Sequence, residues 1–474
     1  MAIQPGSQHP YLTTRYYQVR IAEFFREFYM SASYSVSADL LIECRWLLPM
    51  TDDLPVKEWQ AIALHDGIIV GIWPIEEARI RVHAQQTLRL TQHALMPGLV
   101  NAHNHAGMTM MRGYADDLPL MTWLNDHIWP AEAAFMQPEF VADGTRLAIA
   151  EMLRSGTTLF SDMYLSPETA AELVASSGIR AQICTPLIDF ATPWARDFAS
   201  GIELSEALLA RYRGHDRISI ALGPHAPYTV GDESLEQLCQ ARDRLNVPIQ
   251  MHVHETRDEV DTAGIRPLQR LHAAGLLDNR FQAVHMTQLT DEEIQMVADS
   301  GASVIHCPQS NLKLASGFCP VARLLDAGIP VALGTDGACS NNDLNLFDEM
   351  RQAALLAKGF SGDAAVLPAM AALAMATIEG ARALGVSDRT GCLQTGMAAD
   401  IIAVNLDSLE TQPVHHPESA LVYAVNSRQV SHVWVAGQLL LENGVLVNED
   451  EDELLQLARH RQRQMADAAP HYSS

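Results

Sequence analysis

The sequence predicts an α/β protein, a (β/α)8 TIM barrel with a small β-sandwich domain built from both ends of the chain. Between residues 94 and 389, short apolar runs alternate with helical stretches, which is the pattern of repeated βα units. Eight such units over about 290 residues match the size of a barrel of this kind. The flanking segments, 30–93 and 390–450, instead contain short strands separated by turns.

The barrel strands are predicted from apolar runs of four to eight residues that are bounded by turn residues. They are 94–105, 157–163, 180–187, 218–224, 248–254, 281–286, 303–307 and 330–335. Helical segments such as 139–155 and 204–212 separate most of them. An open, doubly wound sheet is the alternative fold, but no Gly-x-Gly-x-x-Gly follows the first strand.

Both chain ends carry the signs of a β domain. His65-Asp-Gly67 is a turn between two apolar runs near the N-terminus, and Ala436-Gly437 is one near the C-terminus. Residues 1–29 are expected to be a disordered or accessory extension, with Met30 an alternative start of the chain. Residues 451–474 are expected to form a C-terminal helix or tail.

Composition excludes several classes of function. No run of about 18 apolar residues occurs, so no membrane-spanning helix is expected. The 57 acidic and 32 basic residues give a net charge of −25, which disfavours nucleic acid as a partner but permits a small neutral or cationic substrate. Seven scattered cysteines without a Cys-x-x-Cys pair indicate reduced thiols and a cytoplasmic protein.

Histidines and an aspartate follow the ends of several predicted strands. His103 and His105 stand two positions apart on an extended segment, so their side chains point the same way and could hold one metal ion. The carboxyl ends of barrel strands form the face that carries chemistry. Further candidates near these ends are His225, His252, His254, Glu255, His285, His306 and Asp336.

This set of residues suits a catalytic zinc ion. Zinc prefers imidazole nitrogen together with an oxygen or sulfur ligand, and catalytic sites leave one position open for water. His103, His105 and Asp336 fit that set, and either His252 or His254 completes it. No lysine stands at a strand end to bridge two metals, so a single ion is the simpler hypothesis.

The order of these residues resembles that of the amidohydrolase superfamily. The resemblance rests on Pro-Gly-x-x-x-x-His-x-His at 97–105, then on the histidines of the fifth and sixth strands, and then on Thr335-Asp336. The resemblance extends over about residues 38–450. Within the superfamily the chain looks most similar to the 5′-methylthioadenosine/S-adenosylhomocysteine deaminases. The stretches that carry this likeness are 107–124, 127–132, 223–229 and 334–342.

The resemblance implies one Zn²⁺ per subunit, with another divalent transition metal as the alternative. It selects His252 over His254, because Glu255 then lies three positions on and completes the family's His-x-x-Glu. His254 is then interpreted as a packing residue. The implied metal ligands are His103, His105, His252 and Asp336.

The resemblance also implies catalytic roles. Glu255 would carry a proton to the purine ring nitrogen beside the amino-bearing carbon. His285 and Asp336 would orient and deprotonate the attacking water. The products would be ammonia and the inosine analogue of the substrate.

The implied contacts with the nucleoside substrate are Trp123, Glu132 and His225, together with Glu255 and Asp336 of the catalytic set. Glu132 would bind the ribose hydroxyls, since a carboxylate offers two acceptor oxygens. Family members that accept S-adenosylhomocysteine use arginines for its carboxylate. Arg196, after the third strand, is the local candidate, and the preference among methylthioadenosine, S-adenosylhomocysteine and adenosine stays open.

Several other hypotheses compete with this one. A free-base deaminase, such as one for guanine, and a triazine amino- or chlorohydrolase share much of the pattern. A non-catalytic barrel protein is disfavoured, because every expected ligand position is filled. The cysteine-ligated zinc deaminases of nucleic acids are excluded, since the chain lacks their Pro-Cys-x-x-Cys element. A homo-oligomer, either a dimer or a tetramer, is also expected.

Overall fold

A computed structural model of the chain describes residues 35–51 and 55–468. The predicted extension 1–29 and Met30 lie outside these residues, as do the last six of the predicted C-terminal segment. The strands are β1 (Val36–Leu47), β2 (Lys57–His65), β3 (Ile68–Pro74), β4 (Val82–Pro97), β5 (Leu99–Asn104), β6 (Thr157–Met163), β7 (Arg180–Leu187), β8 (Ile218–Pro224), β9 (Ile249–Val253), β10 (Phe281–His285), β11 (Ser303–His306), β12 (Val331–Leu333), β13 (Ile401–Asn405), β14 (Val430–Val435), β15 (Gln438–Glu442) and β16 (Val445–Leu446).

The helices follow the strands along the chain, with short 3-10 turns at Ala106–Met111 and Ser427–Gln429 and a π-helical turn at Trp123–Ile128. They are α1 (Ile75–Arg81), α2 (Leu120–Thr122), α3 (Trp129–Phe135), α4 (Pro138–Arg154), α5 (Pro167–Ser177), α6 (Phe198–Tyr212), α7 (Asp232–Leu245), α8 (Arg257–Thr262), α9 (Pro267–Ala273), α10 (Asp291–Ser300), α11 (Pro308–Lys313), α12 (Val321–Asp326), α13 (Leu346–Ser361), α14 (Ala369–Met375), α15 (Ile378–Ala383), α16 (Pro417–Tyr423) and α17 (Glu451–Ala468). No helix of the described ranges combines the length and the apolar character that a membrane crossing requires.

Strands β5 to β12 form the predicted barrel. Neighbours along the chain pair in parallel in the order β5 to β12. The ends of β12 and β5 meet, because the Asp336 backbone N–H donates to the His103 carbonyl at 3.0 Å and Asn101 exchanges hydrogen bonds with Thr335. Strands β6 and β7 are buried at every position, as expected of parallel strands covered by helices. The (β/α)8 fold is therefore confirmed.

The first predicted strand, 94–105, is two strands in two different sheets. Strand β4 ends at Pro97 and β5 begins at Leu99, with Gly98 between them. A Cβ atom on Gly98 would lie 2.0 Å from the Thr158 hydroxyl oxygen, so only glycine fits this close approach. One continuous apolar run therefore passes without a loop from β4, in the sheet built by the chain ends (the terminal sheet), into β5 of the barrel.

The chain ends form one eight-stranded mixed sheet in the order β16-β15-β14-β13-β4-β1-β2-β3. Strand β3 is four strand spacings, roughly 19 Å, from β13 along this order. The Ile69 N–H nevertheless donates to the Met397 carbonyl at 2.9 Å, and the Ala399 N–H donates to the Gly67 carbonyl at 2.8 Å, just before β13. The sheet therefore folds over upon itself, which confirms the predicted β-sandwich built from both termini.

The interior of this sandwich joins residues from both chain ends, including the buried side chains of Ile42, Ile62, Ile401 and Trp434. A buried ion pair then links it to the barrel, where the Arg180 Nε donates to the Asp400 carboxylate at 2.6 Å. Helix α17 lies against α4, and Arg461 donates to Asp143 there at 2.7 Å. The carboxyl ends of the barrel strands remain open to a cavity.

Candidate metal centre and active site

The four predicted metal ligands lie at the carboxyl ends of three barrel strands. His103 is the last residue but one of β5, and His105 immediately follows that strand. His252 is the last residue but one of β9, and Asp336 lies three positions after the end of β12. One ligand atom of each residue lies within 4.8 Å of the others. The barrel thus brings together side chains that are separated by more than 200 positions in the sequence.

Each of the three imidazoles is oriented through its second ring nitrogen. Nδ1 of His103 lies 2.7 Å from Gln250 Oε1, Nδ1 of His105 lies 2.5 Å from the Met163 carbonyl, and Nδ1 of His252 lies 2.7 Å from the His225 carbonyl. These oxygens can only accept hydrogen bonds, so each Nδ1 carries the proton. In its neutral form, each ring therefore presents an Nε2 lone pair to the common centre.

The donor set fits a bound metal cation. The Nε2 atoms of His103 and His252 are 3.1 Å apart, and both carry lone pairs, which repel each other unless a cation lies between them. Asp336 Oδ1 is 3.0 Å from Nε2 of His105. Burial lowers the pKa of His103 to about 4, which favours the neutral form that a metal ligand requires. Three imidazoles and one carboxylate are a donor set that suits a single zinc ion.

Asp336 is fixed in a sparsely populated conformation. Its φ is +60°, in the left-handed region that few non-glycine residues adopt. The hydroxyls of Ser310 and Ser340 donate to its Oδ2 atom at 2.6 and 2.7 Å. The other carboxylate oxygen, Oδ1, is thereby left to face the histidines.

Glu255 and His285 lie beside the ligand group, and at neutral pH the first holds a proton while the second can accept one. Burial and the negative charge of Asp336 raise the pKa of Glu255 to about 8, so its carboxyl group holds a proton at neutral pH. Burial lowers the pKa of His285, and its Nδ1 lies 2.9 Å from Asn311 Oδ1. His285 Nε2, 3.9 Å from Glu255 Oε2, is left able to accept a proton.

Two other strand-end histidines do not join this group. His254 is fully buried and points away from the ligands, and its Nε2 accepts a hydrogen bond from the Leu268 backbone N–H at 3.2 Å. His306 is buried at the end of β11 and is not part of the ligand set. Residues two positions apart share a face only while the strand continues, but β9 ends at Val253 and His254 has a φ of +53°. The chain therefore turns there, and His252 alone of the two reaches the centre.

A cavity of about 260 Å³ opens above the ligand group. It brings together the predicted catalytic and substrate-binding residues. Those on its wall are His105, Trp123, Glu132, His225, His252, Glu255, His285 and Asp336. Trp123 is mostly buried, and its indole N–H donates to the Ala115 carbonyl at 2.9 Å, so it serves both the core and the cavity. Arg196 is exposed and is not on this wall.

Glu132 contributes a polar group to an otherwise apolar side of the cavity. Its Oε1 accepts a hydrogen bond from the Tyr164 hydroxyl at 2.7 Å, which leaves Oε2 open to a ligand. Burial raises the pKa of Glu132. Leu124, Ile128 and Trp129 surround this part of the wall.

Tyr164, Gln250, Ser310 and Ser340 are functional neighbours that sequence reasoning missed. Gln250 offered a signal, because it is a polar residue in a strand predicted to be buried on both faces. Tyr164 directly follows a predicted strand and so stands where active-site residues collect. The two serines offered none, since serine is common in any loop.

Comparison with known proteins shows the family to which the chain belongs. Residues 94–440 match the model of the amidohydrolase family. A 5-methylthioadenosine/S-adenosylhomocysteine deaminase of Teredinibacter turnerae is 46% identical over 424 residues, which is 89% of this chain and 96% of that protein.

Two solved structures resemble the fold. A zinc-bound adenosine deaminase from Xanthomonas campestris has a TM-score of 0.90 and 46% identity, and the match covers 91% of this chain and 100% of that one. A zinc complex of atrazine chlorohydrolase from Arthrobacter aurescens has a TM-score of 0.83, with 89% and 99% coverage. At 24% identity, the second likeness concerns the fold alone.

Proposed function

Because this chain belongs to the amidohydrolase family, and within it to the 5-methylthioadenosine/S-adenosylhomocysteine deaminases, we propose that it is a zinc-dependent hydrolytic deaminase. Its proposed substrate is 5′-methylthioadenosine, which it converts to the inosine analogue and ammonia. The observation that carries the proposal is the convergence of His103, His105, His252 and Asp336 on one point beside Glu255 and His285.

The chemistry divides between the metal and the side chains. Zinc, when bound, activates water as a nucleophile at neutral pH. Glu255, whose raised pKa keeps it protonated, donates to the purine ring nitrogen beside the amino-bearing carbon and makes that carbon electrophilic. His285, held by Asn311, accepts a proton from the attacking water and then gives it to the leaving ammonia.

The ribose is proposed to bind at Glu132. The Tyr164 hydroxyl occupies one carboxylate oxygen, so the other is available to accept from the ribose hydroxyls. The surrounding apolar residues exclude water and strengthen these hydrogen bonds. His225 and Trp123 are placed to contact the nucleoside across the same cavity.

The cavity favours an uncharged substituent at the 5′ position. Its polar residues include the acids Glu132, Glu255 and Asp336, and no lysine or arginine of the described chain stands on its wall. Ile188 and Phe190 line the part that belongs to the loop after β7. The carboxylate of S-adenosylhomocysteine would lose hydration there without gaining a cationic partner, whereas a methylthio group gains apolar contact.

An ammonia-release or ultraviolet assay across four compounds tests the proposal. We expect turnover of 5′-methylthioadenosine to exceed that of adenosine and S-adenosylhomocysteine in kcat/KM, with no turnover of guanine. Removal of zinc with a chelator should abolish activity, and zinc should restore it. Activity on guanine alone, or on none of the four compounds, would contradict the proposed function.

A free-base deaminase or a triazine hydrolase is the second candidate, and Glu132 distinguishes it. A free base has no ribose, so Glu132→Gln should raise the KM for the nucleoside at least tenfold only if the ribose assignment is correct. Glu139→Gln, an exposed acid at the start of α4, is the matched control and should leave KM unchanged.

We also propose that the protein is cytoplasmic and that it forms a homo-oligomer. The seven cysteines form no disulfide within the described residues, which supports a role in the reducing cytoplasm. We expect a dimer or a tetramer, to be measured by light scattering at several protein concentrations.

A further inference from the structure

Two serines, from the segments that follow β11 and β12, donate hydrogen bonds to the Oδ2 atom of Asp336. Ser310 lies on α11 after β11, and Ser340 lies in the loop after β12. We call this pair the serine clamp. Both serines are buried, and both hydroxyls donate to Asp336 Oδ2. Because both donors engage Oδ2, they set the direction of the carboxylate, on a residue whose φ of +60° its surroundings must also hold.

A single carboxyl group, that of Glu349, joins the two segments that carry the serine clamp. Glu349 Oε2 accepts from the Gln309 backbone N–H at 3.2 Å, and its Oε1 accepts from Gln309 Nε2 at 3.0 Å. The same Oε1 accepts from Asn341 Nδ2 at 2.5 Å. Gln309 and Asn341 are the chain neighbours of Ser310 and Ser340, so Glu349, on α13, contacts the residue next to each serine.

The burial of Glu349 has no compensating cation. Its side chain is 0% exposed, and the residues that donate hydrogen bonds to it, Gln309 and Asn341, are uncharged. The equally buried Glu43 and Glu293, by contrast, pair with Arg79 and Arg266. Burial raises the pKa of Glu349 well above its ordinary value, so an ionised carboxylate is costly at this position. A carboxyl group buried here indicates a role other than stability.

We propose that Glu349 is a positioning residue of the metal site, which fixes the serine clamp and through it directs Asp336 Oδ1 toward the histidines. The inference rests on the proposed metal-dependent function. It assigns a role to a residue that touches neither metal nor substrate. Two of its donors cannot reverse, because the Gln309 N–H belongs to the backbone and Asn341 Nδ2 also donates to the Thr335 carbonyl. They face different oxygens of Glu349, so a carboxyl group can accept from both and the NH₂ of an amide cannot.

The test is Glu349→Gln in the full-length chain. The amide NH₂ must face one of the three N–H donors, which should loosen one side of the clamp. We expect zinc affinity, measured by chelator competition, to fall about 10- to 100-fold. Saturated with zinc, the variant should show a reduced kcat at nearly unchanged KM, and its cobalt-substituted form should show an altered visible spectrum.

Glu43→Gln is the matched control. Glu43 is also 0% exposed, but it lies in the terminal sheet, where it pairs with Arg79. We expect it to lower the melting temperature and leave zinc affinity and the cobalt spectrum unchanged. If Glu349→Gln behaves in the same way, the proposed positioning role is wrong. If the wild-type chain binds no zinc, the proposed function fails instead.

A second set of variants applies if Glu349→Gln does not fold. Gln309→Met removes one donor to Glu349 and keeps the backbone contact. We expect it to weaken zinc binding severalfold when Ser310 is present and to have little further effect in Ser310→Ala, since both changes act on the same clamp. Additive effects of the two substitutions, or no effect of Gln309→Met, would overturn the inference.

Discussion

At the residue scale, the three imidazoles of the ligand group differ in what holds them. His105 and His252 donate to backbone carbonyls, whereas His103 donates to the side chain of Gln250. Gln250 is itself fixed, because its Nε2 donates to the Ala102 carbonyl at 3.0 Å and to Gln282 Oε1 at 2.8 Å. The tautomer of His103 thus depends on a buried amide.

Gln250→Leu should therefore weaken the metal site. Leucine removes the acceptor for Nδ1 of His103, so the ring is free to place its proton on Nε2 and lose its donor lone pair. We expect zinc affinity, from chelator competition, to fall about 10- to 100-fold. Gln295→Leu on the exposed face of α10 is the control and should not alter it. Unchanged affinity in both variants would contradict this role for Gln250.

Glu255→Gln tests the proton donor. The amide keeps the shape of the side chain but cannot transfer a proton, so kcat should fall about 10²- to 10⁴-fold. Metal analysis should still find one zinc per chain, because Glu255 is not among the ligand atoms. A variant that retains more than a tenth of wild-type kcat would exclude Glu255 as the general acid.

The candidate site was predictable where a residue's type and strand position were enough. His103, His105 and Asp336 stand at strand ends in a spacing that metal chemistry explains, whereas the choice of His252 over His254 needed the family resemblance. Gln250 and the serine clamp were not predictable, because their roles arise from distances across the barrel. Gln250 and His103, for example, are 147 positions apart.

At the element scale, apolar runs between turn residues located the barrel strands closely. The predictions 157–163, 180–187 and 218–224 have the bounds of β6, β7 and β8. The division of 94–105 at Gly98 was missed, since it depends on Thr158, which lies in another strand. A β-sandwich built from both termini was predicted, but the contacts that close it were not, because no local pattern specifies that β3 meets residues 397–399.

The terminal sheet also carries two histidines that burial keeps neutral. His93 on β4 and His432 on β14 have ring centroids 6.5 Å apart. Burial, with the neighbouring His432, lowers the pKa of His93 to about 4, and burial also lowers the pKa of His432. The unfolded chain binds these protons at about pH 6.5, so stability is fully present above that pH and falls as pH drops toward 4.

His93→Leu should make stability less dependent on pH. Between pH 7 and pH 5, the variant should lose about 2 kcal/mol less unfolding free energy than the wild type, as measured by urea denaturation at both pH values. His83→Leu is the control, because His83 is exposed on the same strand. Equal pH dependence in wild type and His93→Leu would show that His93 titrates alike in the folded and unfolded chains.

At the scale of the whole molecule, a buried ion pair joins the barrel to the terminal sheet. Arg180 and Asp400 are 5% and 1% exposed, and Asp400 also accepts from the Ala436 backbone N–H at 2.6 Å. Breaking the pair leaves an uncompensated buried charge. Arg180→Leu should therefore cost about 3–5 kcal/mol of unfolding free energy in chemical denaturation.

Arg211→Leu provides the comparison for this prediction. Arg211 pairs with Glu172 at 2.9 Å, but both side chains are more than half exposed. Water screens such pairs, so its loss should cost less than about 1 kcal/mol. If both substitutions cost the same, the Arg180–Asp400 pair does not secure the two parts of the molecule to each other.

The closure of the barrel has a consequence for how the enzyme matures. The contacts that join β12 to β5, such as that between Asn101 and Thr335, link residues 234 positions apart. Three ligands are synthesised by residue 252, and the fourth, Asp336, only with the last strand. A nascent chain that stops before β12 offers three imidazoles and no carboxylate. Stable metal loading is therefore expected to follow synthesis of the whole barrel and to mark the chains that have completed it.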